Sequence, residues 1–242
     1  MVFDLEHVAL VRSQAGQSDF RLAVESLRVQ AGEYVAITGP SGCGKSTALD
    51  ILGMLLKPTS VGRFVFSSGP GASEDIAQYW REGALDRMSL LRLRYFGYVL
   101  QTGELLPYLT VLENVILASS ILGSDRRACR RRGEELLEAL DIAHLRDKLP
   151  SNISIGERQR SAIARALASE PKIVLADEPT ASLDPARARI VMQLLLDMVR
   201  KNGTTLIVVT HDLKLVSDLG FRQAPMTFEK DEHGEVWSVL RG

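Results

Sequence analysis

The chain has 242 residues, 45% of them hydrophobic and 24% charged, with a formal net charge of −1. That is enough apolar sequence to bury a substantial core, and so even a balance gives no support to nucleic acid as the main partner. Two cysteines, Cys43 and Cys129, show no metal-ligand spacing and argue against a disulfide framework, so a reducing compartment is expected.

No run approaches the roughly 20 apolar residues that a bilayer-crossing helix needs. Asp4, Glu6 and His7 interrupt the place a signal peptide would take, so a cytosolic chain is expected, with membrane contact only through a partner. Residues 2–11 and 20–29 have strand character, with the polar turn "SQAGQSD" between them. "EYVAITG" reads as a short buried strand stopping at Gly39, and "KSTALDILGMLL" as a helix ended by Pro58. "RFVFS" is a strand, "SSGPGAS" a loop, and 74–94 a charged helical stretch before the strand "FGYVLQ". Residues 111–149 read as wholly helical. Five arginines within 126–132, followed by Glu134, Glu135 and Glu138, make this a solvated helix, with anionic lipid or an acidic partner surface as the alternative. "KIVLADE" (strand), "PARARIVMQLLLDMVRKN" (helix), "TTLIVVTHD" (strand), a short helix and two short strands complete the chain. The alternation predicts an α/β fold with a mainly parallel sheet covered on both faces. The helical block at about 104–165 is a candidate subdomain.

"GPSGCGKST" places Gly39, Pro40, Ser41, Gly42, Cys43, Gly44, Lys45, Ser46 and Thr47 between a predicted strand and a predicted helix. It fits G-x-x-x-x-G-K-[ST] in the context that pattern requires. The glycines let backbone N–H groups curl inward toward phosphate oxygens, and the helix adds the positive end of its dipole. Lys45 is expected to reach the β- and γ-phosphates and Ser46 to offer its hydroxyl to Mg²⁺. Cys43 is a small spacer whose thiol is expected to be open to alkylation. This is a nucleoside triphosphate site.

"KIVLADEPT" runs four apolar residues into Asp177 and Glu178 at a strand's carboxyl end, where parallel sheets bind ligands. Asp177 suits Mg²⁺, directly or through water. Glu178 suits a water attacking the γ-phosphate, as general base or orienting group.

With "SNISIGERQRSAIARAL" between them, these elements resemble the nucleotide-binding subunits of ATP-binding cassette (ABC) transporters over nearly the whole chain and in the family's order. The resemblance implies a P-loop NTPase fold of ABC type: one domain over 1–242, an N-terminal antiparallel β part, and the helical subdomain set into a RecA-like core. It implies ATP and Mg²⁺ as ligands. Gln101 matches the Q-loop glutamine that senses Mg²⁺, Asp184 in "ASLDP" the D-loop aspartate, and His211 in "VVTHD" the switch histidine. Ser154 and Gly156 match the signature loop, which binds the γ-phosphate held by an opposite subunit. Ile155 departs from that loop's glycine: a β-branched residue does not readily take positive φ, and its side chain is expected to crowd the close approach that glycine permits. The family also stacks adenine on an aromatic residue after the first strand. Arg12 falls near that place, leaving its guanidinium plane or Phe20 to serve.

"QTGELLPYLTVLENV" resembles the branch serving lipoprotein release and macrolide export. The implied protein is an ATPase subunit at the cytoplasmic membrane face, dimerising, as a homodimer in the first instance, around two ATP. It would drive membrane-spanning permease subunits in export or membrane extraction of a lipid, lipoprotein or peptide-like cargo. Two alternatives stay open: a nucleotide-gated clamp with weak hydrolysis, and a soluble ABC ATPase without a transport role.

Overall fold

The computed structural model describes residues 1–13, 19–101 and 103–242. Residues 14–18, the centre of the turn expected between the first two strands, lie outside the described residues. The chain forms two units, Met1–Leu90 with Val209–Gly242, and Leu91–Val208.

In the first unit β1 (Phe3–Arg12) and β2 (Phe20–Val29) pair antiparallel, with Arg12 opposite Phe20. β3 (Tyr34–Thr38) is buried from Val35 to Thr38, as a strand covered on both faces must be. It leads through the glycine-rich turn into α1 (Lys45–Leu52). That helix ends sooner than its sequence suggests. Gly53 caps it and Met54 takes a left-handed φ of 56°, which breaks the helical path ahead of Pro58. β4 (Ser60–Gly69) and β5 (Ala72–Asp75) pair antiparallel, so "SSGPGAS", expected as a loop, is the tip of a hairpin with Ser67 facing Ser73. The stretch expected to be one helix is two, α2 (Ile76–Glu82) and α3 (Leu85–Tyr95), divided at Gly83.

The second unit carries β6 (Phe96–Val99), α4 (Val111–Ile121), α5 (Arg126–Ala139), α6 (Ile155–Leu167), β7 (Ile173–Asp177), α7 (Pro185–Asn202) and, at its end, β8 (Thr205–Val209). β6 and β7 are parallel with Phe96 opposite Ile173, and β8 lies on the other side of β7. The helical block is interrupted where side chains start new helices. Thr110 and Glu113 form a capping box on α4, and Asp125 accepts the Ala128 amide at 2.8 Å to begin α5. On α5, Arg130 pairs with Glu134 and Arg131 with Glu135 at the surface, while Cys129, Leu136 and Leu137 face inward. This is the solvated helix expected.

The chain then returns to the first unit with α8 (Leu213–Asp218), β9 (Arg222–Lys230) and β10 (Val236–Arg241). They complete its sheet in the order β5-β4-β1-β2-β10-β9-β3. β9 runs parallel to β3 and β10 parallel to β2, while β9 and β10 are antiparallel to each other; β1, β2, β4 and β5 make the expected N-terminal antiparallel part. Among the described residues no helix is long and apolar enough to cross a membrane.

Candidate nucleotide-binding site

Gly44 is the residue on which the cradle turns. It caps α1 with φ 89°, and no side chain there accepts a hydrogen bond from the helix's first amides. A helix mouth without a side-chain cap is a place where a phosphate can accept from the first amides. An added Cβ on Gly44 would lie 2.5 Å from Phe20 Cζ. The left-handed backbone favours glycine, and a Cβ there would also force the Phe20 ring to shift. At the other end of the turn, a Cβ on Gly39 would lie 2.7 Å from the Met226 carbonyl oxygen.

Lys45 is almost fully buried and bends back over the turn, its Nζ donating to the carbonyls of Gly39 (3.1 Å) and Pro40 (3.0 Å). An ammonium has three donors, so this pose holds the charge over the loop with a donor to spare. Cys43 differs from expectation. Its side chain is 0% exposed, and burial pushes the thiol up, so it is shielded rather than open to alkylation.

Phe20 and Arg12 face each other across β1 and β2, but only the Phe20 ring lies against Gly44; Arg12 is exposed. Between the two, the aromatic one stands at the cradle. His211 belongs to the same unit. The preceding residue, Thr210, donates its amide to Ile37 in β3 at 3.3 Å, and Asp212 caps α8 through the Leu215 amide at 2.9 Å. The exposed imidazole thus leaves the chain beside the strand that feeds the cradle.

In the second unit Asp177 ends β7, and Glu178 follows with a left-handed φ of 44°. Such a conformation in a non-glycine residue stores roughly 1–3 kcal/mol and gathers at functional sites. Both carboxylates are half-buried. Asp184 caps α7, accepting the Arg187 amide at 3.1 Å, with Pro185 at the first helical position.

Ser154 caps α6. Its hydroxyl accepts the Glu157 amide at 3.4 Å and donates to the Glu157 carboxylate at 2.7 Å, which also takes the Ser154 amide at 2.7 Å. These bonds from Ser154 hold the Glu157 carboxyl below its ordinary range. Ile155 is the first residue of α6, does not take positive φ, and points outward at 59% exposure. The conformational objection to a β-branched residue at this place is therefore removed. The predicted buried face of α6, Ala162, Ile163, Ala166 and Leu167, is buried, and Gln159 and Ser161 join it.

Two loops far apart in sequence meet here. Ser154, Gly156, Ser182, Asp184 and Arg187 line one open cleft of about 620 Å³, with exposed Ile155 and Ile190 on its walls. Gln101 is exposed in the turn after β6, and Thr102 beside it lies outside the described residues. Sequence reasoning set Glu157 in the signature loop without its capping role and gave Arg165 no role, although S-x-x-E at 154–157 is a readable capping box.

The profile of the ABC transporter family matches residues 22–181, from β2 through the cradle and Ser154 to the turn after Glu178. The chain belongs to the ABC transporter family. It is 41% identical over 186 residues to the lipoprotein-releasing system ATP-binding protein LolD 1 of Rhodospirillum rubrum, covering 77% of this chain and 78% of the relative. It is 36% identical over 215 residues to the putative hemin import ATP-binding protein HrtA of Staphylococcus haemolyticus, covering 89% and 92%. Among solved structures, a dimeric post-hydrolysis state of the ATP-binding cassette MJ0796, bound to ADP and Pi, matches with a TM-score of 0.74 at 34% identity, covering 88% and 89%. The cassette therefore has the ABC-type P-loop fold and is an ATP-binding transport ATPase.

Proposed function

We propose that the cassette pairs head to tail with a second copy around two ATP molecules and drives membrane-spanning permease subunits that extract a lipid- or lipoprotein-like cargo from a membrane. The observation that carries this reading is the cleft where the Ser154 cap and the Asp184 loop open together between exposed isoleucines. A helix mouth suits an anion, and apolar walls around it suit a protein neighbour. The lipoprotein-releasing name of relatives about 40% identical supports the cargo class and a place at the cytoplasmic membrane face.

In this reading the backbone amides of the 39–44 turn hold the phosphates. Lys45 turns from the Gly39 and Pro40 carbonyls to the β- and γ-phosphate oxygens, and the Phe20 ring carries the base. Glu178 accepts a hydrogen bond from the attacking water. The water oxygen bonds to the γ-phosphorus as the bond to the β-phosphate oxygen breaks, leaving that electron pair on ADP. The water proton passes toward Glu178, and His211 and Lys45 stabilise charge on the γ-phosphate oxygens. Ser46, Gln101 and Asp177 offer only oxygen donors, a set that fits Mg²⁺, and would hold it to offset phosphate charge. Ser154 and Gly156 of one copy meet the γ-phosphate held by the other, beside Asp184.

The test is Glu178→Gln with ATP and Mg²⁺ in size-exclusion chromatography with light scattering. A stable dimer that ADP does not support is expected. A strict monomer, alone and alongside the co-purifying membrane protein, overturns the reading. The clamp alternative keeps one ground: a helical Ile155 meets the backbone objection, but its exposed side chain stands in the cleft where glycine would leave room for a close approach.

A further inference from the structure

Glu157 divides its carboxylate between two neighbours. Oε2 takes the Ser154 amide and the Ser154 hydroxyl, each at 2.7 Å, while Oε1 stands 3.7 Å from His144 Nε2. His144 sits in a single 3₁₀ turn, Ala143–Leu145, that follows α5, and it does not line the cleft. Its charge therefore reaches the Ser154 mouth by way of Glu157. The bonds from Ser154 first, and then the charges of His144 and Arg160, hold the Glu157 carboxyl below its ordinary range.

The other charged groups around His144 are turned elsewhere. Arg160 on α6 faces Asp141 at 3.8 Å, Glu134 on α5 faces Arg130 at 3.0 Å, and Glu113 on α4 closes the Thr110 cap. On the segment that carries His144, Arg146 pairs with Asp147 at 3.0 Å and Lys148 is exposed. Among the described residues only Glu157 lies within ion-pair distance of His144. A glutamine at the third helical position closes the same capping box without a charge, so the cap alone does not call for a carboxylate. A carboxylate beside Ser154 repels an incoming phosphate, and a cation next to that carboxylate weakens the repulsion. Histidine is the side chain whose charge ordinarily changes between about pH 5 and 8, whereas an arginine such as Arg160 stays charged throughout.

We propose that His144 sets the charge at the Ser154 mouth. Protonated, it offsets Glu157 and favours the phosphate carried by a neighbouring cassette; neutral, it leaves Glu157 to oppose that phosphate. This rests on the pairing proposed above, in which Ser154 meets the neighbour's γ-phosphate. The gain is present while the imidazole is charged and is lost as pH rises through its titration. His144 is a positioning residue and acts on the phosphate only through Glu157.

The test uses the full chain carrying Glu178→Gln. Light scattering reads the ATP concentration, with Mg²⁺, that makes half of the protein dimeric at about pH 6 and at about pH 8. His211 and the nucleotide titrate as well, but they do so in every variant, so the result is read against His144→Gln. The rise in required ATP between the two conditions should be about two- to fivefold larger in the parent than in His144→Gln, the range of an exposed ion pair. His144→Lys, charged in both conditions, should lose that extra rise and keep the parent's low-pH requirement. Adding Glu157→Gln should make the parent and His144→Gln alike. Equal rises in the parent and His144→Gln overturn the proposal, and so does a His144→Gln effect that survives Glu157→Gln, because it would act by another route. A parent that stays monomeric in both conditions overturns the pairing and this role with it, whereas a dimer that forms without regard to His144 overturns this role alone. If His144→Gln does not fold, the comparison passes to about pH 8, where His144→Lys should need less ATP than the parent and equality overturns the proposal.

Discussion

Replacing Gly44 with alanine tests whether the cradle's shape comes from glycine's backbone freedom, from the Phe20 ring, or from both. At φ 89° an alanine sits outside its favoured regions, a strain of about 1–2 kcal/mol. Its methyl would also lie 2.5 Å from Phe20 Cζ and 3.1 Å from Leu22 Cδ1, against the roughly 3.5–4.0 Å of an ordinary carbon contact. Overpacking of this kind costs about 1–3 kcal/mol. Phe20 is only half-buried and meets Gly44 with the far end of its ring, so it can yield, and the low end applies. Gly44→Ala should then destabilise the fold by about 2–3 kcal/mol. In a Phe20→Ala background the overpacking disappears and about 1–2 kcal/mol of backbone strain remains, giving a coupling near 1 kcal/mol. Urea unfolding of the four proteins of the cycle, with constant m-values, reads this directly. Additivity within about 0.3 kcal/mol would refute the contact argument. A full loss of the penalty in Phe20→Ala would refute the strain argument.

Cys43 in the folded, nucleotide-free protein should resist a maleimide that modifies it fully in urea, because its thiol is enclosed and its pKa raised by burial; rapid native labelling would contradict this. Ile155→Gly should change stability by less than about 1 kcal/mol and leave ATP turnover little changed, since no backbone strain is released; a large rise in turnover would favour the clamp reading, with the Ile155 side chain as the obstruction. Glu229, paired with Arg241, is held down to about 2 from 4.5. A folded value below the unfolded one means the stabilisation is present above pH 4.5 and drains away as pH falls toward 2. Arg241→Met should flatten the acid limb of a stability profile, and an unchanged limb would show that the pair does not contribute. Ser154→Ala and Ser154→Gly should lose ATP-driven dimerisation alike while differing in stability, as capping preferences require; dimerisation that tracks stability would leave Ser154 a cap alone.

The cradle, the Asp177–Glu178 strand end and the α6 core face were legible because each is a local pattern with a local cause. A strand, a tight turn and a helix in sequence leave few places for a phosphate, and a 3.6-residue period leaves few faces for a core. What depended on distant residues was not legible. Met54 in a left-handed conformation shortens α1, and no residue-type preference announces it. Gly97 reads as an ordinary strand glycine until the Ala166 carbonyl is seen against it. Arg165 reads as a solvated helix charge, yet its guanidinium is spent on carbonyls some sixty positions upstream. The breaks within 111–149 were a different kind of miss. Gly123 and the Asp125 cap carry an ordinary stop-and-start signal, overridden by the strong helix formers on either side.

Ser154 and Asp184 raise a problem that neither sequence nor geometry settles by inspection, because the atoms assigned to a ligand are the atoms that start a helix. Both side chains accept an amide three residues on. For Asp184 that bond is 3.1 Å and the carboxylate repels phosphate, so the cap accounts for its position and any ligand must be met by neighbouring groups. For Ser154 the accepted bond is long, 3.4 Å, while the donated one to Glu157 is short, 2.7 Å. An incoming phosphate would replace the weaker of the two as acceptor for the helix amides. It would also compete with Glu157 for the hydroxyl proton, bringing a second negative charge near a carboxylate already stabilised in its ionised form. Glu157 therefore opposes the anion that Ser154 invites, and the balance must come from the cationic side of the cleft, where exposed Arg187 and half-buried Arg160 lie. On the proposed head-to-tail reading, anion binding at this mouth would be favoured when the neighbour that carries the phosphate also buries the cleft. Ser154 would then distinguish a bound partner from free nucleotide in solution.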